Sequence, residues 1–541
     1  MKDYMKTIKT WTLLVAGLLL TASCANDDVT QKDTETDNGT EKNLTTFVTG
    51  TEPTSRTSMD YTGGKFYWEA GDHIYVQDDD GGWRISSNTP TAKTAYFKFM
   101  VPGKFKNHTS YKVYYPGKNG NKDQVTIPAT QTQTAPNTTA HFGVSGDCGI
   151  ADATGTKGRG PFNFTLDHQA AILVFQPYTS NTILKNCYLT KVEVSSDNDI
   201  AATYTLDPTN GLTGTGTGKQ IVLTTKSSTY GSANYNGFPL NTTSANVTTN
   251  GAYMLIKPGT HILKIRYWVK DVATNVEGTI TKNLSSFNYA KNTYYDMAAN
   301  LDVKDYDGDH YYMWDAKKQY WDGWEWTKNL PDGQPTLNTN SSNNYPQSNS
   351  DPRYYNNSYS GFGVRNDAQT TLFKTLPNVN EMVWYAQKGS PRKDGDELWT
   401  TMGHLHKGGI WFKKKASISG FDTNLAPDGY DWRVNGNGSG WSVSQTLPSA
   451  SEANQFFYLP ALGRYYFGQL DNVGDNGYFW SSSAYPFSQS NAFGLSFFGG
   501  NVYVDHYASR TYGIERRRSS EFHSLPLPSI WESAWRKQVG L

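Results

Sequence analysis

From Thr46 to about Val303 the apolar positions come in short alternating runs, separated by clusters of Gly, Pro, Asn and Thr. The clearest are Lys65-Phe66-Tyr67-Trp68, His73-Ile74-Tyr75-Val76, Tyr111 to Tyr115, Ala171 to Phe175, Tyr253 to Ile256 and Leu263 to Val269. A period of two sends successive side chains to opposite faces, so these runs read as half-buried strands, and their spacing predicts sandwich-like all-β domains. Pro377 to Gly389 has the other period. It reads as a helix, with Asn378 or Asn380 as its cap, Gly389 as its stop and the Trp384-Tyr385 pair packed inward. Strands resume at Gly408 to Lys415, Phe456 to Gly463 and Gly477 to Ser483, and alternation is strongest at Asn491 to Phe498 and Asn501 to Ser509, which flank Gly499-Gly500.

That alternation puts Tyr503, Asp505 and Tyr507 on one side of the last strand. Rigid aromatic area mixed with short polar groups is the composition of recognition surfaces. It is equally the composition of a solvated strand face, and both readings stand on the pattern alone. As a binding face, the candidate ligand-binding set starts at Tyr485, Phe487, Gln489 and Asn491 and continues through Phe498 and Tyr503. Asp505, His506, Tyr507, Ser509, Arg510 and Tyr512 complete it.

The ends of the chain carry a different signal. Lys2, Lys6 and Lys9 precede an apolar run from Trp11 to Leu20, then Thr21-Ala22-Ser23-Cys24 and Asn26-Asp27-Asp28. The run is about half the length of a membrane-spanning helix, and small residues follow it, so residues 1–24 read as a secretory signal. Cys24 in that position resembles a lipobox cysteine, and the resemblance implies lipidation of Cys24, anchoring in the outer membrane and, from the acidic pair behind it, export to the cell surface. Residues 25–45 are too polar to bury a core and read as a disordered tether.

Composition narrows the classes. Of 541 residues, 49 are Lys or Arg and 49 Asp or Glu, so no net charge favours nucleic acid. The remainder suffices for two to four domains. With Cys24 lipidated, Cys148 and Cys187 are left, and whether they pair stays open. Twelve of the 16 tryptophans lie at or after Trp314, so a domain with its own aromatic core is expected from about residue 304, with Thr336 to Ser360 as a long surface loop.

The first half resembles the fimbrillin family of pilins and pilus-tip lipoproteins. The residues that carry it are Arg56-Thr57-Ser58, Phe66-Tyr67-Trp68-Glu69-Ala70-Gly71-Asp72-His73, Tyr114-Tyr115-Pro116, Gln131-Thr132-Gln133, Phe164 to Ala171, Ile256-Lys257-Pro258-Gly259 and Tyr294-Tyr295-Asp296. The resemblance implies two tandem β-sandwich domains, 46–178 and 179–303. It implies assembly with other pilin subunits by strand exchange after cleavage at a basic residue, for which Arg56 is the candidate; an ordinary loop arginine reads the same way. Leu459-Pro460-Ala461, Gly477-x-x-Trp480-Ser481-Ser482 and Gly513-x-x-Arg516 resemble the major paralogous domain, an α+β relative of the C-type lectin fold, over residues 304–516. That domain is similar to variable proteins of diversity-generating retroelements, and Tyr503, Asp505, His506, Tyr507 and Ser509 fit the repertoire reached from Asn codons. Residues 517–541 depart from the pattern, as a tail of unknown structure.

Sharper chemistry finds little support. His404 and His406 share a strand side near Asp396 and Glu397 but lack further ligands at fixed spacing, so a surface pair is preferred to a metal site. Asp305, Asp307 and Asp309 with Gly308 start like a calcium loop, but position twelve is Ala316 where an EF-hand needs Glu, and an Asp-rich turn is preferred. Formylglycine-generating oxidases share the lectin-like architecture but need reactive cysteines, and none follows Cys187. The expectation is therefore a mainly β surface adhesin, no enzyme, with no cofactor and no metal. It would hold a surface glycan or protein ligand, at a fimbrial tip or, in the alternative, as a non-polymerising binding lipoprotein.

Overall fold

Leu44–Thr49 (β1), Lys98–Pro102 (β2), Ser110–Tyr115 (β3), Gly149–Thr156 (β4) and Arg159–Phe164 (β5) turn the first alternating runs into one sheet. Its order is β3-β4-β5-β1-β2, continued past β3 by Tyr75–Gln77 and Trp83–Ile85. The computed structural model describes residues 44–49, 58–61 and 65–517, and the backbone of 536–538. The signal segment, the tether, Cys24 and Arg56 lie outside the described residues. β1 runs antiparallel to β2 and parallel to β5, so it sits inside its sheet. Phe47 anchors it, fully buried among Phe105, Tyr111 and Phe162.

The second sandwich uses Ala171–Tyr178 (β6), Tyr188–Ser196 (β7), Gln220–Thr224 (β8), Ala252–Ile256 (β9), Leu263–Lys270 (β10), Glu277–Asn283 (β11) and Thr293–Asn300 (β12). One sheet places β6 between β9 and β12; the other runs β8-β7-β10-β11. The boundary expected at residue 178 therefore lies before β6. This strand pairs along its whole length with β12 and shares five registered positions with β9, and all but its last residue are buried. Thr130–Thr132 also crosses over and runs parallel to β8. The side chains of Gln131 and Gln133 fasten it, bonding to the backbone of Leu255 and Tyr253. Those contacts explain the Gln131-Thr132-Gln133 run. Similarly, His168 is buried with Nδ1 2.7 Å from Asp147 Oδ1 and its ring on Phe66 at 4.2 Å. Cys148 and Cys187 are buried free thiols in separate cores.

The tryptophan-rich part contains Val379–Lys388 (α1), Arg392–Thr401 (β13), His404–Lys413 (β14), Ser439–Ser442 (β15), Phe456–Pro460 (β16), Arg464–Tyr466 (β17), Gln469–Asp471 (β18), Gly477–Ala484 (β19), Asn491–Phe498 (β20), Asn501–Ser509 (β21) and Ile514–Glu515 (β22). One sheet runs Tyr311–Tyr312, β22, β19, β20, β21, β15, and a second runs β16-β14-β13. The short strand β22 closes the domain before the tail. Of the tail, the backbone of Arg536–Gln538 pairs antiparallel with β12.

The second of these sheets does not stop at the domain boundary. Thr279 on β11 pairs with Glu397 on β13, so β16-β14-β13 and the β8-β7-β10-β11 sheet of the second sandwich make one sheet, of nine strands among the described residues with Thr130–Thr132 and Phe238–Pro239. Gly278 permits the approach, since a Cβ there would lie 2.3 Å from the Asp396 carbonyl. Arg266 Nη2 donates to Asp394 Oδ1 at 3.0 Å and Thr279 Oγ1 at 2.9 Å, and Trp411 Nε1 donates to Asp394 Oδ2 at 3.0 Å. Glu397 accepts from Thr281 N at 2.9 Å, Thr281 Oγ1 at 2.6 Å and Thr279 Oγ1 at 3.1 Å. Lys264 reaches across to the Pro448 carbonyl. Leu398 and Leu405 complete the core of the second sandwich. Close by, Asp302 accepts from Thr179 Oγ1 and from the backbone of Ser180 and Asn181. Burial opposes its charge, but these donors win and hold the carboxyl at about 2.

Replacing Asp394 with Ala would leave the Arg266 guanidinium buried with only the longer Glu193 contact at 4.0 Å, with an expected cost of about 3 kcal/mol, read as a lower denaturation midpoint. Glu397 supplies a pH signature. Burial and then the Asp394 charge raise its carboxyl above the ordinary value, so the folded protein holds a proton that the unfolded chain releases. Stability from this group is full below the unfolded value and is lost as pH rises through the folded one. From about pH 5 to about pH 8 the wild type should therefore lose melting temperature relative to Glu397→Gln, whose Oε1 still accepts from Thr281 N and which does not titrate.

Candidate functional site

The Gly477-x-x-Trp480-Ser481-Ser482 run builds a support. Trp480 Nε1 donates to the Tyr312 carbonyl at 2.7 Å, Trp314 Nε1 to the Ser481 carbonyl at 3.0 Å, and Val379 N to Ser483 Oγ at 3.2 Å. β19 is thereby tied to the start of the domain and to α1. Asn378 caps α1 in a reciprocal box with Glu381, while Asn380 is buried and joins Trp432 N, the Asn424 carbonyl and Asp431. Only one of the two expected inward aromatics is buried: Tyr385 packs in, and Trp384 is half-buried with Nε1 on the Leu425 carbonyl.

On this support β21 buries Val502 and Val504 and turns Tyr503 outward, between Ser496 of β20 and Gly440 of β15. The Tyr503 ring stacks on Phe498 at 4.7 Å, and Phe498 is 41% exposed. Glycine at 440 is required, because a Cβ there would lie 2.6 Å from the Tyr503 ring. Beside the Gly499-Gly500 turn a cleft of about 250 Å³ opens, lined by Phe498, Lys393, Lys407 and Asp475.

Strict alternation ends at Asp505. Gly494 pairs with Asp505 and Ala492 with Ala508, so His506 and Tyr507 together oppose Phe493, a β-bulge. The expected single side of Tyr503, Asp505 and Tyr507 is thus split. The His506 ring lies flat on Tyr485 at 4.0 Å, and the Tyr507 ring, 75% exposed, lies tilted against His506 at 4.6 Å. Phe487 edges Tyr485 at 5.6 Å, and Phe362 edges Phe487 at 4.8 Å. Asp505 Oδ1 accepts from Tyr507 N at 3.2 Å, and burial raises its carboxyl above the usual range. Burial lowers His506, whose Nδ1 has no partner among the described residues. The arrangement can stack planar or apolar sugar faces and exchange hydrogen bonds through the Tyr503 hydroxyl, Asp505 and His506.

Several candidate residues serve elsewhere. Arg510 is fully buried: its guanidinium lies over Trp314 at 4.4 Å and donates to the carbonyls of Asn491, Asn356 and Ser358, and burial lowers it to about 10. It clamps the 336–360 segment and cannot contact a ligand. Asn491 spends its amide on the His506 carbonyl at 2.8 Å, holding the bulge. Gln489 donates to the Asn357 carbonyl at 3.2 Å, and Ser509 pairs with Thr511 at 2.8 Å. Tyr512 belongs to a separate cluster around Arg464. Phe362, 78% exposed, joins the site from outside the candidate set; its one signal is an aromatic between two glycines, both at positive φ.

The rejected metal candidates are engaged as well. His406 stacks on Trp399 and is pushed to about 4, first by burial and then by His404, which itself meets Thr336 Oγ1 at 3.3 Å. Asp305 accepts from Thr400 Oγ1, and Asp307 from Gly308 N and Trp326 Nε1.

No protein-family model matches this sequence, and no curated protein does. Among solved structures, a candidate cell adhesion protein from Bacteroides ovatus is similar at 13% identity and a TM-score of 0.31, over 48% of this chain and 93% of its own. The fimbrial anchor protein Mfa2 from Porphyromonas gingivalis is similar at 12% identity and a TM-score of 0.21, over 44% of this chain and 82% of its own. A fimbrial assembly protein from Parabacteroides distasonis is similar at 12% identity and a TM-score of 0.18, over 44% of this chain and 98% of its own. Scores this low carry no argument about what this chain does.

Proposed function

We propose that the chain is a cell-surface adhesin, lipid-anchored in the outer membrane through Cys24, that presents the β20–β21 face to a glycan or protein ligand by binding and not by turnover. The observation that carries this reading is the face itself. Phe498 and Tyr507 are exposed large aromatics, Tyr503 stacks on the first and His506 lies against the second, and His506 Nδ1 has no partner among the described residues. Aromatic anchors whose rotamers are set by stacking lose little entropy when a ligand arrives.

The position of β1 supports a fimbrial place. Its two flanks are β5 and β2, so release of β1 by a cut in the segment that holds Arg56 would open a groove with hydrogen-bonding edges on both sides. A strand from a neighbouring subunit would fill it, and the lectin-like end would stand at a tip.

The full chain carrying Tyr503→Ala and Tyr507→Ala together should lose at least about tenfold in affinity for the ligand found on a glycan and surface-protein array, with unchanged melting, as expected of exposed hot-spot residues. Wild-type binding by the double variant would remove this face as the site. For the fimbrial part, electron microscopy with antibody against residues 304–516 should label fibre ends; label spread over the cell surface and never at a fibre end would leave the non-polymerising lipoprotein.

A further inference from the structure

A second constellation lies away from the Tyr503 face, at the β17–β18 hairpin. Arg464 stands among three tyrosine rings, with its guanidinium carbon 5.5 Å from the centre of Tyr466, 4.8 Å from Tyr478 and 4.9 Å from Tyr512. Its Nε is buried without a hydrogen-bond partner, and no carboxylate pairs with it among the described residues. Asp471 is its register neighbour across the hairpin, yet no ion pair forms between them. Aromatic faces orient a guanidinium and cost it part of its water shell, while leaving its N–H edges unspent. An arginine held this way is ready for a planar anion.

The hairpin tip supplies an independent sign. Phe467 and Gly468 have φ of +46° and +79°, the left-handed pair of a tight hairpin turn in which Asn-Gly is the easy solution. Phenylalanine there is strained, and its ring is 57% exposed beside Tyr466 at 4.6 Å, so the strain gains no burial. Exposed aromatic area is thereby held next to the unpaired cation.

The geometry points to a subsite for a carboxylate-bearing saccharide, in which Arg464 takes the carboxylate in a bidentate pair and the rings of Tyr466 and Phe467 take the pyranose face. Charge complementarity selects an acidic ligand, and the flat exposed rings select a sugar over an extended acidic peptide. This reading is independent of the Tyr503 face.

The test is an array of uronate and sialate oligosaccharides, each beside its carboxyl-reduced neutral counterpart, probed with the full chain. The acidic members should bind and their reduced counterparts should fall at least tenfold. Arg464→Met should lose the acidic binding with unchanged melting, Arg464→Lys should keep a part of it, and rising NaCl should weaken it. Tyr503→Ala with Tyr507→Ala should leave it intact, which separates this subsite from the main face. Equal binding of neutral and acidic members, no binding of any acidic member, equal binding of polyglutamate, or full binding by Arg464→Met would overturn the proposal.

Discussion

The buried charges between β10 and β13 are the constraint on which the placing of the C-terminal sheet depends. A single backbone pair, Thr279 with Glu397, joins the two halves of the nine-stranded sheet, and one parallel pair is too little to fix a domain. The orientation is set by the directional bonds of Arg266, Asp394 and Glu397, and misalignment would leave the Arg266 and Asp394 charges in a low dielectric. Apolar contacts from Leu398 and Leu405 add burial without demanding one angle. The cost is titration: burial lowers both Lys264 and Lys282 while raising Glu397, so the seam works against the ordinary charge state of three groups.

Much of this was legible in the sequence, and the parts that were not share a cause. Alternation identified β3, β10 and β21, and a cap at Asn378 or Asn380 with a stop at Gly389 identified α1, because these signals are local. Which sheet a strand joins is not local. β6 is apolar on both faces, as a central strand of either sandwich would be, and only its pairing with β9 and β12 decides. The bulge at His506-Tyr507 is invisible for the same reason, since it depends on the residue count in β20 opposite. Arg510 reads as a surface cation until Trp314 and the carbonyls of residues 356 and 358 are folded over it. Arg464 is the converse: Tyr478 and Tyr512, distant in sequence, join Tyr466 around it, and no spacing announces them.

The bulge also bears on how the candidate face can differ in sequence without losing its fold. Val502 and Val504 belong to the core, and Asn491, through the His506 carbonyl, and Arg510, through the Asn491 carbonyl, hold the bulge from behind. The outward positions, Tyr503 and Tyr507, contribute rings to their neighbours but no hydrogen bond from their own side chains to the scaffold among the described residues. Substitution there removes contact area at the surface and leaves the backbone bonds in place. Substitution at Asn491 or Arg510 instead orphans buried carbonyls, and at Arg510 also releases Asn356 and Ser358, so the outward candidate positions and the stability of the hairpin are carried by neighbouring residues with little overlap. His506 is the exception, since its ring is both on the face and stacked on Tyr485, and there the two roles cannot be separated.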